Sequence, residues 1–215
     1  MFSDVAALQA ALLNKEPKSF VSHHIFEPIP FAFKDDLALW IEWKRKLADA
    51  LDVDPQDIVM TGSAAVGYSL NPHNDFKAFD NGSDFDCGVV SSYYFDIAWR
   101  YLRQLRVSWL SLPQPTRNAI TSHRKTYVFA GTIAADKMLG ILPFGQTWQA
   151  ALDTMSQIDP TKGRDVKLRL YKDFDSLRYY QASNVERLRD SLGGQAESEP
   201  IGNNDSDDIL IEDGE

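Results

Sequence analysis

The sequence has one cysteine, Cys87, so no intramolecular disulfide can form, and a reducing compartment is expected. It has no run of about 18 apolar residues, which argues against a membrane-spanning helix. The opening segment, MFSDVAALQAALLNKE, carries Asp4 where a leader peptide would be basic. Its apolar stretch is short and amphipathic, so no leader is predicted, and a cytoplasmic location with no membrane partner is expected. No repeat or low-complexity stretch interrupts residues 1–195. From Ala196 to Glu215 there is no Lys or Arg, against eight acidic residues. Rich also in Asn, Ser and Gly, residues 196–215 are predicted to form a disordered acidic tail. Its apolar island, Ile209-Leu210-Ile211, is a candidate for docking on a protein partner as an added strand.

The remaining 195 residues suit one globular domain able to bury a core without metal or disulfide. Without the tail, acids and bases number 23 and 22, but they are unevenly placed. Residues 1–99 hold 15 acidic and 7 basic residues; residues 100–195 hold 8 and 15. A carboxylate metal site facing phosphate-holding cations would produce this division, and so would an uneven solvated surface.

Hydrophobic spacing predicts helices over 4–14, 35–51, 93–106 and 174–191, and short strands at 58–61, 85–91 and 166–172. The segment HHIFEPIPFAF (23–33) has two prolines and reads as an extended arm, part of an N-terminal helix-and-arm region over 1–34. KTYVFA (125–130) reads as a further strand, and 134–156 as helical segments interrupted at Pro143 and Gly145. Trp40, Trp43, Trp99, Trp109 and Trp148 read as core anchors. Alternating helices and strands predict an α+β domain: a mixed sheet flanked by helices.

One stretch carries chemistry: IVMTGSAAVGYSL, NPHNDFKAFDNG, then SDFDCGVVS. A strand runs into Gly62-Ser63, a helix-compatible segment and a loop follow, and Asp84-Phe85-Asp86 opens the next strand. Strand side chains alternate, so Asp84 and Asp86 share one face while Phe85 and Cys87 take the other. Two neighbouring carboxylates repel each other unless a cation lies between them. Mg²⁺ supplies such a charge and completes its shell with phosphate oxygens. Gly62 permits close backbone approach to a phosphate, and Ser63 adds a hydroxyl. Taken singly, Asp-x-Asp and Gly-Ser are ordinary strand and helix-cap sequences; their ordered combination carries the signal.

The combination resembles the signature of polymerase-beta-type nucleotidyltransferases, and the whole core resembles small bacterial members linked with toxin–antitoxin and phage-defence loci. The resemblance implies a polymerase-beta-like fold and Mg²⁺-dependent transfer of a nucleoside monophosphate from a nucleoside triphosphate to a hydroxyl acceptor on RNA, protein or nucleotide. It implies metal binding by Asp84 and Asp86 and triphosphate binding by Gly62 and Ser63. Twenty residues separate Ser63 from Asp84, and the excess is expected to loop out near 71–82, where Asn71, His73, Asn74 and Lys77 can meet substrate. The family also places a third carboxylate on a later strand. KTYVFA contains no acid, which leaves Asp165 as the third catalytic candidate, with Asp173 behind it. Asp165, Lys167, Arg169, Tyr171 and Asp173 share one predicted strand face, and Lys167 and Arg169 are candidate nucleotide-binding cations. Arg124, Lys125 and Lys172 are further phosphate candidates. Without a third acid in the cleft, the alternative is a catalytically inactive nucleotide- or nucleic-acid-binding module acting within a complex.

Overall fold

The computed structural model describes residues 2–134 and 138–194. The acidic tail and its Ile209–Ile211 island lie outside the described residues. Among those described are four strands, β1 (Ile58–Thr61), β2 (Phe85–Val90), β3 (Thr132–Ile133) and β4 (Val166–Tyr171). Eight α-helices accompany them: α1 (Val5–Asn14), α2 (Pro17–Val21), α3 (Leu37–Leu51), α4 (Gly62–Val66), α5 (Ser92–Gln104), α6 (Gln114–Thr126), α7 (Gly145–Met155) and α8 (Phe174–Leu192). The sheet order is β1-β2-β4-β3. β1 and β2 are antiparallel, β2 and β4 parallel, and β3 and β4 antiparallel. This is an α+β mixed sheet flanked by helices. No helix among the described residues is long and apolar enough to cross a membrane.

Side-chain alternation divides the sheet into two unlike faces. Ile58, Met60, Phe85, Cys87, Val89, Leu168 and Leu170 are buried on one face, in a core shared with Trp43 and Leu47 of α3 and Trp148 and Leu152 of α7. Trp43 Nε1 donates to Thr161 Oγ1 at 3.1 Å and Trp148 Nε1 donates to the Leu51 carbonyl at 3.2 Å, so neither indole buries an unmet donor. On the other face, Leu177 and Tyr180 of α8 close over Val90 and Tyr171. Toward the start of β2 that face is polar and stays open.

The helix starts follow local chemistry. Asp4, Asp36, Ser91 and Asp173 cap α1, α3, α5 and α8, each accepting a backbone N–H of the first turn. Two sequence expectations are corrected. The arm is not extended throughout: Ser22–Phe26 prolongs α2 as a wider π turn, and Phe31–Phe33 forms a 3-10 turn after Pro30. Its prolines mark the ends of these turns, and Ile25, Ala32 and Phe33 are buried. The strand expected at 125–130 is also absent. Residues 125–126 end α6, Val128–Ala130 forms a 3-10 turn, and the strand is Thr132–Ile133. Gly131, at φ +62°, turns the chain between them. Trp40 joins Trp43 and Trp148 in the core and Trp109 is partly buried, whereas Trp99 stands 40% exposed beneath the Arg103 guanidinium.

Candidate functional site: a carboxylate cleft at the end of β1

β1 delivers Thr61 and then Gly62 at the sheet edge. The register sets Thr61 opposite Asp86 and Asp86 opposite Lys167, so the three side chains form one row across β1, β2 and β4 on the open face. Thr61 Oγ1 donates to the Asp86 carbonyl at 3.2 Å, tying the row together. Asp84, two residues before Asp86, reaches the same face. Its approach is set by the turn 80–83, where Asp80 Oδ1 accepts from Gly82 N at 2.9 Å and from Ser83 Oγ at 3.0 Å. Those bonds hold the Asp80 carboxyl below its usual range.

The chain turns at Gly62 with φ +62°, and a Cβ there would stand 2.9 Å from Asp86 Oδ2. Only glycine fits both the backbone conformation and the contact. Gly62→Ala is expected to cost about 1–2 kcal/mol, from left-handed strain and the displaced carboxylate, lowering Tm by roughly 2–8 °C; a thermal melt measures it. The following helix, α4, has only five residues and ends at Gly67. A helix this short supplies local N–H groups rather than an extended macrodipole.

Gly62, Ser63, Asp84, Asp86, Lys167 and Arg169 all line one cleft of about 280 Å³. The excess between Ser63 and Asp84 does loop out. A Tyr68–Ala78 bridge and the Ser69 N to Lys77 O bond at 2.8 Å clip its base, and Asn71, Asn74 and Lys77 line the cleft while His73 does not. Sequence reasoning did not select the opposite wall, formed by Tyr180, Gln181 and Asn184 of α8. Their helical spacing was visible, but nothing local indicates which partner that stripe faces.

The two cations on β4 are held differently. Lys167 Nζ lies 2.5 Å from Asp84 Oδ2, with the two side chains 46% and 38% exposed. Arg169 donates to the Tyr180 hydroxyl, with its guanidinium 4.8 Å from the Tyr180 ring centroid and 5.3 Å from that of Tyr127. Arg169 is a fixed charge wedged between two rings, whereas Lys167 is a flexible one at the surface.

The expected third acids lie elsewhere. Asp165 is exposed just ahead of β4 and is not among the residues lining the cleft; its carbonyl accepts from Phe85 N at 2.9 Å. Asp173 caps α8, accepting from Ser176 N at 2.7 Å and Ser176 Oγ at 2.6 Å, which hold its carboxyl below the usual range. It lines a second cleft beside Phe95 and Phe129. Lys172 lines that second cleft too, and Arg124 and Lys125 line neither. Among the described residues, no group of three or more His, Cys, Asp or Glu could hold a metal. Cys87 is buried on the core face, and burial raises its thiol pKa, which leaves it unsuited to nucleophilic chemistry.

Behind Arg169, His123 is buried and stacks on Tyr127. Burial, and then the Arg169 charge, depress its pKa to about 4. A histidine whose folded pKa lies below its unfolded value of about 6.5 contributes stability that is complete above pH 6.5 and is lost as the pH falls toward 4. The loss attributable to His123 between pH 7 and pH 5 is about 2 kcal/mol. Urea unfolding of His123→Phe at both pH values is expected to show a correspondingly smaller drop than the unsubstituted protein. A residual slope should persist from His24, which lies between Phe2 and Phe20 and is also depressed to about 4, chiefly by burial.

No family model, curated protein or solved structure matches this chain.

Proposed function

We propose that this chain is a Mg²⁺-dependent nucleotidyltransferase, moving a nucleoside monophosphate from a nucleoside triphosphate to a hydroxyl on RNA, protein or another nucleotide. The observation that carries the reading is the meeting of the Gly62 corner with Asp86: the glycine's missing Cβ would lie 2.9 Å from that carboxylate, in a cleft shared with Ser63, Asp84 and the cations Lys77, Lys167 and Arg169. A phosphate chain lying along the corner would meet backbone N–H, a hydroxyl, carboxylates and positive charge within one small volume.

The donor set fits Mg²⁺. This ion takes oxygen ligands and normally keeps positions for water and substrate phosphate, so two protein carboxylates suffice. Asp84 and Asp86 would hold it. When bound, the metal supplies charge neutralisation at the triphosphate and at the reacting phosphorus. Gly62 and Ser63 position the triphosphate, and Arg169 and Lys167 offset the charge of the departing pyrophosphate. The acceptor oxygen forms its bond to the α-phosphorus as the α–β phosphoanhydride bond breaks. Pyrophosphate leaves with the bonding pair, and the acceptor proton passes to the carboxylate pair. A setting in phage defence or a toxin–antitoxin-like system belongs to the same proposal and rests on the sequence resemblance.

Two observations favour a second reading, a nucleotide- or nucleic-acid-binding module that does not turn over. Lys167 already neutralises Asp84, and Asp165 stands outside the cleft. Incubation with each labelled nucleoside triphosphate, Mg²⁺ and cell extract separates the two. Label transfer by the unsubstituted protein and not by Asp84→Ala/Asp86→Ala is the expected result. Nucleotide binding without label transfer to any extract component would favour the module.

A further inference from the structure

The row of side chains on the open face contains a cation where the proposed chemistry needs a different one. Lys167 stands opposite Asp86 in the parallel register, and its Nζ reaches Asp84 Oδ2 at 2.5 Å. Strands in register lie about 5 Å apart, so the ammonium, carried on the strand beside Asp86, occupies an oxygen of Asp84, one of the two carboxylates that would ligate a divalent ion. We propose that Lys167 is a built-in counter-ion that competes with the metal for Asp84, and that the cleft takes its metal with high affinity only when nucleotide phosphate draws the lysine away.

Three observations carry this. First, an ammonium within hydrogen-bond distance of a carboxylate occupies a lone pair that a metal would use, and adds a repelling positive charge beside the metal position. Second, the pair is open to water, with side chains 46% and 38% exposed. An exposed ion pair is weakly held and exchanges partners at little cost. Third, the neighbouring cation cannot share the task. Arg169 is bonded to Tyr180 and flanked by two rings, whereas Lys167 has a flexible four-carbon stem. A triphosphate lying along the Gly62–Ser63 corner offers Lys167 several anionic oxygens in place of the Asp84 carboxylate. Its transfer to phosphate frees Asp84 at the moment phosphate oxygens arrive to complete a metal's shell. Nucleotide and metal then bind with positive coupling, and the coupling is reciprocal. Without nucleotide, the pairing of Asp84 with Lys167 discriminates against free divalent ions.

The inference rests on the proposed metal role of Asp84 but is tested without turnover. Mn²⁺, which takes the same oxygen ligands and is paramagnetic, is titrated into the full-length protein with no nucleotide, and free Mn²⁺ is read by electron paramagnetic resonance. Lys167→Met is expected to bind Mn²⁺ about tenfold more tightly than the unsubstituted protein. Lys167→Arg, which keeps the charge, is expected to show no such gain, and Lys167→Met/Asp84→Asn to lose it. In EDTA, Lys167→Met is expected to bind metal-free nucleoside triphosphate several-fold more weakly, the opposite sign. Equal Mn²⁺ affinity in the unsubstituted protein and Lys167→Met would overturn the counter-ion role while leaving the metal site standing. Absence of Mn²⁺ binding to either protein at millimolar concentration would overturn both. Thermal melts of each variant exclude loss of fold as the cause.

Discussion

Asp86→Asn is expected to lower nucleotidyl transfer about a thousandfold or more while shifting Tm by only a few degrees. The substitution keeps the shape of the side chain and removes its charge. Its backbone pairing with β1 and β4 and the Thr61 bond to its carbonyl do not depend on the carboxylate. Loss of a buried hydrophobic contact is not at issue either, because Asp86 is half-buried on the open face. The consequence therefore falls on whatever the negative charge serves. In the proposed chemistry that is retention of the metal against the triphosphate, an interaction stronger in the transition state than in the ground state. Single-turnover rates with saturating nucleotide separate the chemical step from binding. Asp84→Asn is the companion variant, since it also removes the negative charge that Lys167 meets at Asp84. Nucleotide should then bind at least as tightly while transfer is lost. An Asp86→Asn protein within tenfold of full activity would remove the carboxylate pair from the chemistry.

The parts of this cleft legible in the sequence are those fixed by local rules. Period-two alternation places Asp84 and Asp86 on one face with Phe85 and Cys87 on the other, and the latter two are buried. The same rule separates Lys167 and Arg169 from Val166, Leu168 and Leu170 on β4. Helical spacing locates α3 and α8 within a residue or two. What was not legible depends on contacts between distant residues. β2 and β4 pair across some eighty residues, and although alternation keeps the polar faces together, no local pattern states that Asp86 lies opposite Lys167 rather than opposite Arg169, two positions along. Nor does the α8 sequence show that Tyr180, Gln181 and Asn184 form the cleft's second wall. The misread strand at 125–130 has a different cause. Aromatic and β-branched residues in Tyr127-Val128-Phe129 favour a strand, yet they follow directly on α6, and Phe129 ends 97% exposed in a turn. Composition set the expectation, and the preceding helix together with Gly131 set the outcome.

The largest effect on stability is expected at Gly145, on the opposite side of the sheet from the cleft. Gly145 is the first residue of α7, and its N–H donates to the Leu142 carbonyl at 2.9 Å. A Cβ there would lie 1.6 Å from the Leu139 carbonyl oxygen and 2.7 Å from the Leu139 carbonyl carbon. Neither atom belongs to a side chain that can swing aside. Relief requires separating α7 from the 3-10 turn Leu139–Ile141, and that shift is transmitted to the core: α7 carries Trp148, Leu152 and Met155, all buried, and Trp148 is hydrogen-bonded to the end of α3. Close-packed interiors accommodate such overpacking poorly. Gly145→Ala is therefore expected to cost about 3–5 kcal/mol and to lower Tm by on the order of 10 °C. Gly140→Ala is the matched control, five residues earlier, where a Cβ meets nothing within 4 Å; its expected change is within about 0.5 kcal/mol. Urea unfolding of the two variants in parallel distinguishes a steric clash at one carbonyl from a general dislike of alanine in this connection. Equal midpoints would mean that the turn and α7 can separate freely, and that the core behind the carboxylate sheet is not held by their contact.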